Sequence, residues 1–242
     1  MSYNAPFTKD NLDYYLKELA KEYRKFNGKA MPAEIILIGG ASILINYGFR
    51  EMTYDIDAII SSSSTIKEAI NHVGDKFNLP NGWLNTDFVN TKSYTPKLLE
   101  YSVYYKSYSN ILTVRTVTSV YLIAMKLMSG RKFKNDLSDV VGILCEHKAH
   151  NNPLSQEQIE KAVCDLYGSW GKISEDSRMF INSVFESKQY DTLYDEYRNE
   201  ELSNKDVLLD YEKQYPGVTN ENNIDEVLAK AKQRKEKDIS KS

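Results

Sequence analysis

The spacing of apolar residues in the first third of the chain predicts helices that alternate with strands. Apolar side chains recur at helical intervals over 12–26 and predict an amphipathic helix. The apolar run 34–38 is short, rich in isoleucine and followed by two glycines, which is typical of a buried strand. A short helix over 41–47, a second strand over 55–60 and a helix over 65–77 are expected to follow.

The remaining pattern predicts one hairpin and then helices only. Residues 78–96 are rich in Asn, Pro, Gly and Thr and predict a long loop, which is often functional in a compact domain. Strands over 98–105 and 111–117 are expected to form a hairpin, and Thr118 is a suitable N-cap for a helix that ends at Met128. Further helices are predicted around 137–144, after the capping box 155–158, and around 175–186, 190–199, 204–213 and 223–235.

This order predicts an α+β (α/β) fold, with a mixed β-sheet core and flanking helices in residues 1–130 and an all-helical C-terminal segment in residues 131–242. Hydrophobic residues make up 41% and charged residues 27% of the chain, which excludes a disordered protein. No apolar run approaches the roughly 18 residues that span a bilayer, and the first ten residues lack the features of a signal peptide. We therefore expect a cytoplasmic protein with no membrane partner.

The net charge of −3 hides a difference between the two parts of the chain. Residues 1–133 hold 16 basic and 12 acidic side chains, whereas residues 134–242 hold 15 and 22. The front part can therefore attract a polyanion, and the rear part is less suited to lie along nucleic acid. The two cysteines, Cys145 and Cys164, form no CxxC pair and are expected to be reduced.

Asp55 and Asp57 are the most distinctive polar residues of the predicted strands. Alternate residues of a strand point to one face, so the two carboxylates are expected about 6–7 Å apart beside apolar neighbours. A divalent cation that prefers hard oxygen ligands, such as Mg²⁺, would relieve their mutual repulsion. The alternative is a pair of solvated aspartates at the start of a strand.

Gly39 and Gly40 close the first predicted strand and open a helix. Such a turn presents free backbone N–H groups at the positive end of a helix dipole, where phosphate can approach, and Ser42 adds a hydroxyl. An ordinary tight turn with a capping serine is the alternative. If the two strands are antiparallel, the glycines and the two aspartates can face one ligand. Phosphate and metal would then lie side by side, as phosphoryl or nucleotidyl transfer requires.

Lys126 lies in a predicted helix that is apolar nearly all round. A buried ammonium needs an anionic partner, which could be a triphosphate or one of the aspartates that follow, Asp136 and Asp139. These aspartates share one helical face, which also suits an acidic first turn that favours the helix dipole. Arg50 and Arg131 are candidates for phosphate contacts, although an exposed arginine needs no such role.

The string IILIGGASILINYGFREMTYDIDAII, residues 35–60, resembles the nucleotide-binding signature of the DNA-polymerase-β-type nucleotidyltransferases. The shared features are a hydrophobic strand, a glycine pair, a short helix and a DxD on the next strand. The Gly-Phe-Arg and the Thr two residues before the first Asp are most similar to bacterial nucleotidyltransferase-like toxins of abortive-infection and toxin–antitoxin systems, including the type E abortive-infection toxins. A second string, AMKLMSGRKFKNDLSDVVGIL, residues 124–144, resembles the same group.

The resemblance implies transfer of a nucleoside monophosphate from an NTP to an acceptor hydroxyl with Mg²⁺ or Mn²⁺ as cofactor. The acceptor would be a tRNA 3′ end or a protein, and a cognate antitoxin would be a partner. Asp55 and Asp57 would hold the metal and act in catalysis together with Lys126. The implied nucleotide contacts are Gly39, Gly40, Ser42, Arg50, Thr53, Lys134, Asp136 and Asp139.

The chain departs from the pattern of this fold at a third carboxylate, which full enzymes carry on a later strand. Residues 114–117 contain no acid, so Glu100 is a candidate third metal ligand, with Asp87 and Asp136 as further candidates. Two other functions stay open: a small-molecule (antibiotic) nucleotidyltransferase, and a catalytically degenerate module that binds nucleotide, RNA or a partner. Three aromatic residues of the long loop could stack a nucleobase or anchor the loop, namely Trp83, Phe88 and Tyr94.

Overall fold

The computed structural model describes residues 6–28, 31–61, 64–220 and 223–239, and in the last helix it describes side chains as far as residue 233. The expectation about the start of the chain rests in part on residues 1–5, which lie outside this range. Among the described residues, no helix is both long enough and apolar enough to cross a bilayer.

A mixed sheet forms the centre of the described chain, as the sequence predicts, and it has five strands where four are predicted. The strands are β1 (Ala33–Leu37), β2 (Ile56–Ser61), β3 (Leu84–Asn85), β4 (Ser102–Tyr108) and β5 (Leu112–Val117). Their order is β3-β2-β1-β5-β4. Strand β1 is antiparallel to β2 and parallel to β5, β2 is parallel to β3, and β4 and β5 form the antiparallel hairpin.

The first strand of the hairpin begins later than expected. Residues Pro96–Leu99 form a 3₁₀ turn, because Pro96 favours a helical start and the Thr95 hydroxyl accepts a hydrogen bond from the backbone N–H of Lys97. The turn between β4 and β5 contains Ser109 and Asn110, both with positive φ, which is the conformation of a tight hairpin turn. The long loop before it also contains β3 and a 3₁₀ turn, Asp87–Asn90.

Nine helices surround the sheet within the described ranges. They are α1 (Lys9–Asn27), α2 (Gly39–Asn46), α3 (Thr65–Phe77), α4 (Ser119–Ser129), α5 (Asp136–Ala149), α6 (Gln156–Tyr167), α7 (Glu175–Ser187), α8 (Tyr190–Gln214) and α9 (Ile224–Ile239). The helices predicted over 190–199 and 204–213 are one continuous helix, α8. The prediction of two was wrong because the polar residues Glu201 and Asn204, which break the apolar pattern, are buried inside this helix.

The alternation of side chains along β1 separates two apolar cores. Ile35 and Leu37 pack with α1, α2 and α3 in one core, whereas Ile36 and Ile38 pack with α4 to α8 in the other. On β2, Ile59 belongs to the second core. Asp57, two residues earlier, therefore points to the face that α4 and α5 cover.

Candidate active site

The antiparallel pairing of β1 and β2 brings the two motifs of the sequence to one edge of the sheet. Leu37 at the end of β1 is opposite Ala58, and the Ile38 N–H donates to the Asp57 carbonyl at 2.9 Å. The glycines that follow β1 and the aspartates that open β2 are therefore neighbours. The antiparallel pairing is the condition under which the glycines and the aspartates can face one ligand.

The two glycines differ in the reason for which the fold needs them. Gly39 has a φ of +54°, a backbone conformation that residues with a side chain rarely adopt. A Cβ on Gly40 would lie 2.7 Å from Arg50 Nη2 and 2.9 Å from Thr53 Oγ1. Helix α2 begins here after Ile38, whose apolar side chain makes no capping hydrogen bond, so its first N–H groups are not satisfied by the N-cap residue.

Thr53 links this turn to the first aspartate. Its side chain is buried, and its hydroxyl donates to the Asp55 carbonyl at 3.1 Å and lies 3.3 Å from Asp55 Oδ1. The backbone of Thr53 is fixed in turn by two hydrogen bonds with Phe7, at 2.7 and 2.9 Å. Asp55 itself is exposed, so its carboxylate is free to face a ligand while its backbone is held.

Asp57 lies in a field of opposing charges. Burial is the main cause that raises its pKa, and the neighbouring charge of Asp55 raises it further, whereas Lys134, Arg131 and Lys126 act to lower it. A second carboxylate and partial burial both disfavour the ionised form. A bound cation would remove this penalty.

Lys126 joins the two aspartates of α5. Its Nζ lies 2.9 Å from Asp136 Oδ1 and 2.9 Å from Asp139 Oδ2, and all three side chains are buried. Burial lowers the pKa of Lys126, but the two carboxylates more than offset this and raise it, so the ammonium stays charged. The expectation that Asp136 or Asp139 lies beside Lys126 is therefore met by both.

Two arginines complete this charged cluster. Arg50 Nη1 lies 2.6 Å from Asp139 Oδ2, and the Arg131 guanidinium binds Asp136 in a bidentate manner at 2.8 and 3.1 Å. Although burial raises the pKa of Asp136, the charges of Lys126 and Arg131 hold it well below its usual range. Arg50 also lies beside Gly40, so the charged cluster is in direct contact with the glycine turn.

Ser42 and the three aromatic residues of the long loop pack inside the fold. Ser42 is completely buried in α2, where its hydroxyl is 3.5 Å from Asn46 Nδ2, so the expected phosphate contact is not supported. Trp83 and Phe88 are also buried, and the Trp83 indole donates to the Ile70 carbonyl, so these two aromatic residues anchor the loop. Tyr94 packs edge-on against Phe88.

The donor set suits a divalent cation that arrives with a triphosphate. Asp55 and Asp57 supply two carboxylates, and Mg²⁺ commonly takes one or two protein carboxylates and completes its shell with phosphate oxygens and water. Within the described ranges, no group of three or more His, Cys, Asp or Glu side chains is placed to hold a metal. Glu100, which follows the 3₁₀ turn Pro96–Leu99, is thus not gathered to the two aspartates.

Helix α8 packs on α5 and contacts the connection between α2 and β2, an arrangement that the sequence did not indicate. The Tyr194 hydroxyl donates to the Phe49 carbonyl at 3.2 Å, and Lys205 Nζ lies 5.6 Å from the centre of the Tyr54 ring. Glu201 binds the start of α5. These residues are spaced by seven and four positions, so they share one helical face. This spacing could have indicated a helical face that packs on the site. Many charged residues surround these positions in the sequence, so the face looks like an exposed one.

One family model matches residues 14–202, and its description is "Nucleotidyltransferase of unknown function (DUF6036)". The match covers more than three quarters of the chain and includes both motifs and the charged cluster. No curated protein and no solved structure matches the chain.

Proposed function

The chain belongs to the family of nucleotidyltransferases of unknown function, DUF6036, and from this premise we propose that it transfers a nucleoside monophosphate from an NTP to an acceptor hydroxyl. The cofactor in this proposal is Mg²⁺ or Mn²⁺. The acceptor oxygen forms a bond to the α-phosphorus, the bond from that phosphorus to pyrophosphate breaks, and the hydroxyl proton is released to water.

One observation supports this function above the others. The glycine turn, Asp55 and Asp57 at the start of β2, and the cluster around Lys126 lie at a single edge of the sheet, joined by contacts of Arg50 with both Gly40 and Asp139. Nucleotidyl transfer needs these components together, because its catalysis consists largely of positioning and of charge neutralisation.

The roles of the residues follow from their charges. The N–H groups of the glycine turn and the cations Arg50, Lys126, Arg131 and Lys134 would hold the phosphates. Asp55 and Asp57 would hold the metal, which when bound neutralises charge on the phosphates and orients them. Arg50 and Lys126 are already fixed by carboxylates, so little reorganisation is needed when a nucleotide enters.

We propose further that the acceptor is a tRNA 3′ end or a protein hydroxyl and that the chain acts as the toxin of a toxin–antitoxin or abortive-infection system. The similarity of residues 35–60 and 124–144 to such toxins supports this assignment. A module that binds nucleotide without transfer is the second candidate, because no third carboxylate joins Asp55 and Asp57 within the described chain.

The deciding experiment incubates the protein with each labelled NTP, Mg²⁺, and either total tRNA or total protein. We expect label in one acceptor pool, and a loss of at least about 100-fold in Asp55→Asn and Asp57→Asn. Asp75→Asn is the matched control, since this exposed aspartate lies on α3 at the opposite face of the sheet. Nucleotide binding without transfer would favour the binding module, and full activity in both site variants would refute the proposed role.

A further inference from the structure

Glu201 is a buried carboxylate that reaches from α8 to the start of α5. Its side chain is almost completely shielded from solvent. Oε1 accepts the backbone N–H of Leu137 at 2.7 Å and that of Ser138 at 3.4 Å, and Oε2 accepts the Ser138 hydroxyl at 2.5 Å. One side chain thus satisfies three donors of a helix to which it is not connected in sequence.

Helix α5 depends on this external carboxylate. In the part of the chain that the structure describes, the side chain of its N-cap residue, Asn135, makes no capping hydrogen bond. Unsatisfied N–H groups at a buried helix start are costly, and a negative charge there interacts favourably with the helix dipole. Glu201 therefore replaces the cap that the local sequence of α5 does not provide.

The turn that Glu201 holds is the one that carries Asp136 and Asp139. These aspartates in turn fix Lys126, Arg50 and Arg131. We propose that Glu201 is a positioning residue of the active site, which acts through the first turn of α5 to set the cations that receive the triphosphate. This inference rests on the proposed nucleotidyltransferase function.

The ionisation of Glu201 makes the proposed positioning role measurable as a pH dependence of NTP binding. Burial raises its pKa to about 7, helped by the charge of Asp139, whereas the hydrogen bonds from Ser138 and Leu137 oppose the rise. Above this pH the ionised carboxylate places a further negative charge behind Asp139, which repels a triphosphate. Among the described residues, the other charged groups that line the cavity beside Glu201 are Lys132, which is paired with Asp176 of α7, and Glu200 of α8, which is paired with Lys232 of α9.

The test compares Glu201→Gln and Glu201→Ala with the parent protein in binding of ATP, GTP, CTP and UTP with Mg²⁺ between pH 6 and pH 8. Glutamine keeps a carbonyl acceptor for the N–H of Leu137 but cannot ionise. We expect the parent to lose affinity relative to Glu201→Gln by roughly threefold as the pH rises through 7. Glu201→Ala should weaken binding by at least about tenfold at every pH, because α5 loses its cap. Glu200→Gln, an exposed neighbour on the same helix, is the control.

Two readouts that need no nucleotide accompany the titration. Amide hydrogen exchange at Leu137 and Ser138 should accelerate in Glu201→Ala and stay slow in Glu201→Gln. The melting temperature of the parent should fall relative to Glu201→Gln as the pH rises, because a carboxyl with a raised pKa stabilises the fold below its unfolded pKa and loses this contribution through about pH 7.

The outcomes separate the inference from the function on which it rests. Normal affinity in a folded Glu201→Ala, or equal pH dependence in the parent and Glu201→Gln, would overturn the positioning role even if Asp55→Asn and Asp57→Asn abolish transfer. Absence of NTP binding by the parent would overturn the proposed function and the positioning role together. Accelerated exchange combined with weakened NTP binding supports both.

Discussion

At the residue scale, two different constraints require glycine at positions 39 and 40. Gly39 has a backbone conformation that favours glycine, and Gly40 has no space for a side chain. An added Cβ on Gly39 would meet no described atom within 4 Å, so only its positive φ resists a side chain. Gly40 has the opposite constraint, because a Cβ there would press on Arg50 and on the buried Thr53 hydroxyl. The arginine end can move, but Thr53 is short and fixed by Phe7, so Asp55 would be displaced with it.

We therefore expect Gly39→Ala to lower mainly the stability of the fold and Gly40→Ala to weaken mainly the binding of NTP. Gly39→Ala should lower the free energy of unfolding by about 1–2 kcal/mol, the cost of a left-handed backbone for a residue with a Cβ. Gly40→Ala should weaken NTP binding by at least about tenfold through the displaced Arg50 and Asp55. Denaturant unfolding and NTP titration of both variants check this. Equal NTP affinity in Gly40→Ala and the parent would contradict the close contact.

The buried charge of Lys126 supports both the fold and the proposed site. In Lys126→Met, the ion-pair partner left among the described residues is Arg131 for Asp136 and Arg50 for Asp139, so we expect a loss of about 3 kcal/mol at pH 7 together with weaker NTP binding. Lys213→Met is the control, because its exposed ammonium pairs with the exposed Asp210 on α8 and should contribute less than about 1 kcal/mol. Chemical unfolding measures the first effect and NTP titration the second. A stability loss with unchanged NTP affinity would leave Lys126 a structural residue.

At the element scale, the sequence predicts those helices, strands and turns that depend on residues close together in the chain. The β4–β5 hairpin, the strand pair that joins the glycines to the aspartates, and the capping box before α6 are all confirmed. What the sequence could not predict depends on partners far along the chain. The sequence offers Asp139 as a partner of Lys126 but gives no sign of its second partner, Arg50, which is 89 positions away. Glu201 looks like a surface charge by its neighbours, although it binds α5, 63 or more positions away.

The contact of Phe49 with Gly142 of α5 also joins residues that are far apart in the sequence. Phe49 packs against Gly142, where a Cβ would lie 2.6–2.8 Å from three ring atoms, and its ring also meets Tyr194 of α8. An aromatic ring cannot bend away as a long flexible side chain can. Phe49 and the adjoining Arg50 would therefore have to shift together if this glycine gained a side chain.

We expect Gly142→Ala to cost about 1–3 kcal/mol in the free energy of unfolding and to weaken NTP binding through Arg50. Gly171→Ala is the comparison, because a Cβ there would lie 3.9 Å from its nearest neighbours, which is ordinary contact. Thermal unfolding and NTP titration of both variants provide the measurements. Similar stability of the two variants would show that Phe49 does not hold Arg50 in place.

At the scale of the whole molecule, the C-terminal helices differ in how they connect to the site. Helix α8 packs along α5 and contributes Tyr194 and Glu201, and the family match ends at residue 202, just beyond the second of these. Helix α9 packs on α8 through a separate small apolar cluster that includes Val207, Leu208, Val227 and Leu228. Among the described residues, the main core thus contains no residue of α9.

Two truncations test this division. A chain that stops after residue 220 loses α9 and exposes Val207 and Leu208, so its unfolding free energy should fall by about 3 kcal/mol while NTP binding stays within about twofold of the parent. A chain that stops after residue 188 loses Glu201 and Tyr194 as well. It should leave the start of α5 uncapped and bind NTP at least tenfold more weakly, if it folds at all. Circular dichroism, size-exclusion chromatography and NTP titration distinguish the two chains. Lost NTP binding in a folded chain of residues 1–220 would mean that α9 belongs to the site after all, and intact binding in the shorter chain would mean that α8 does not.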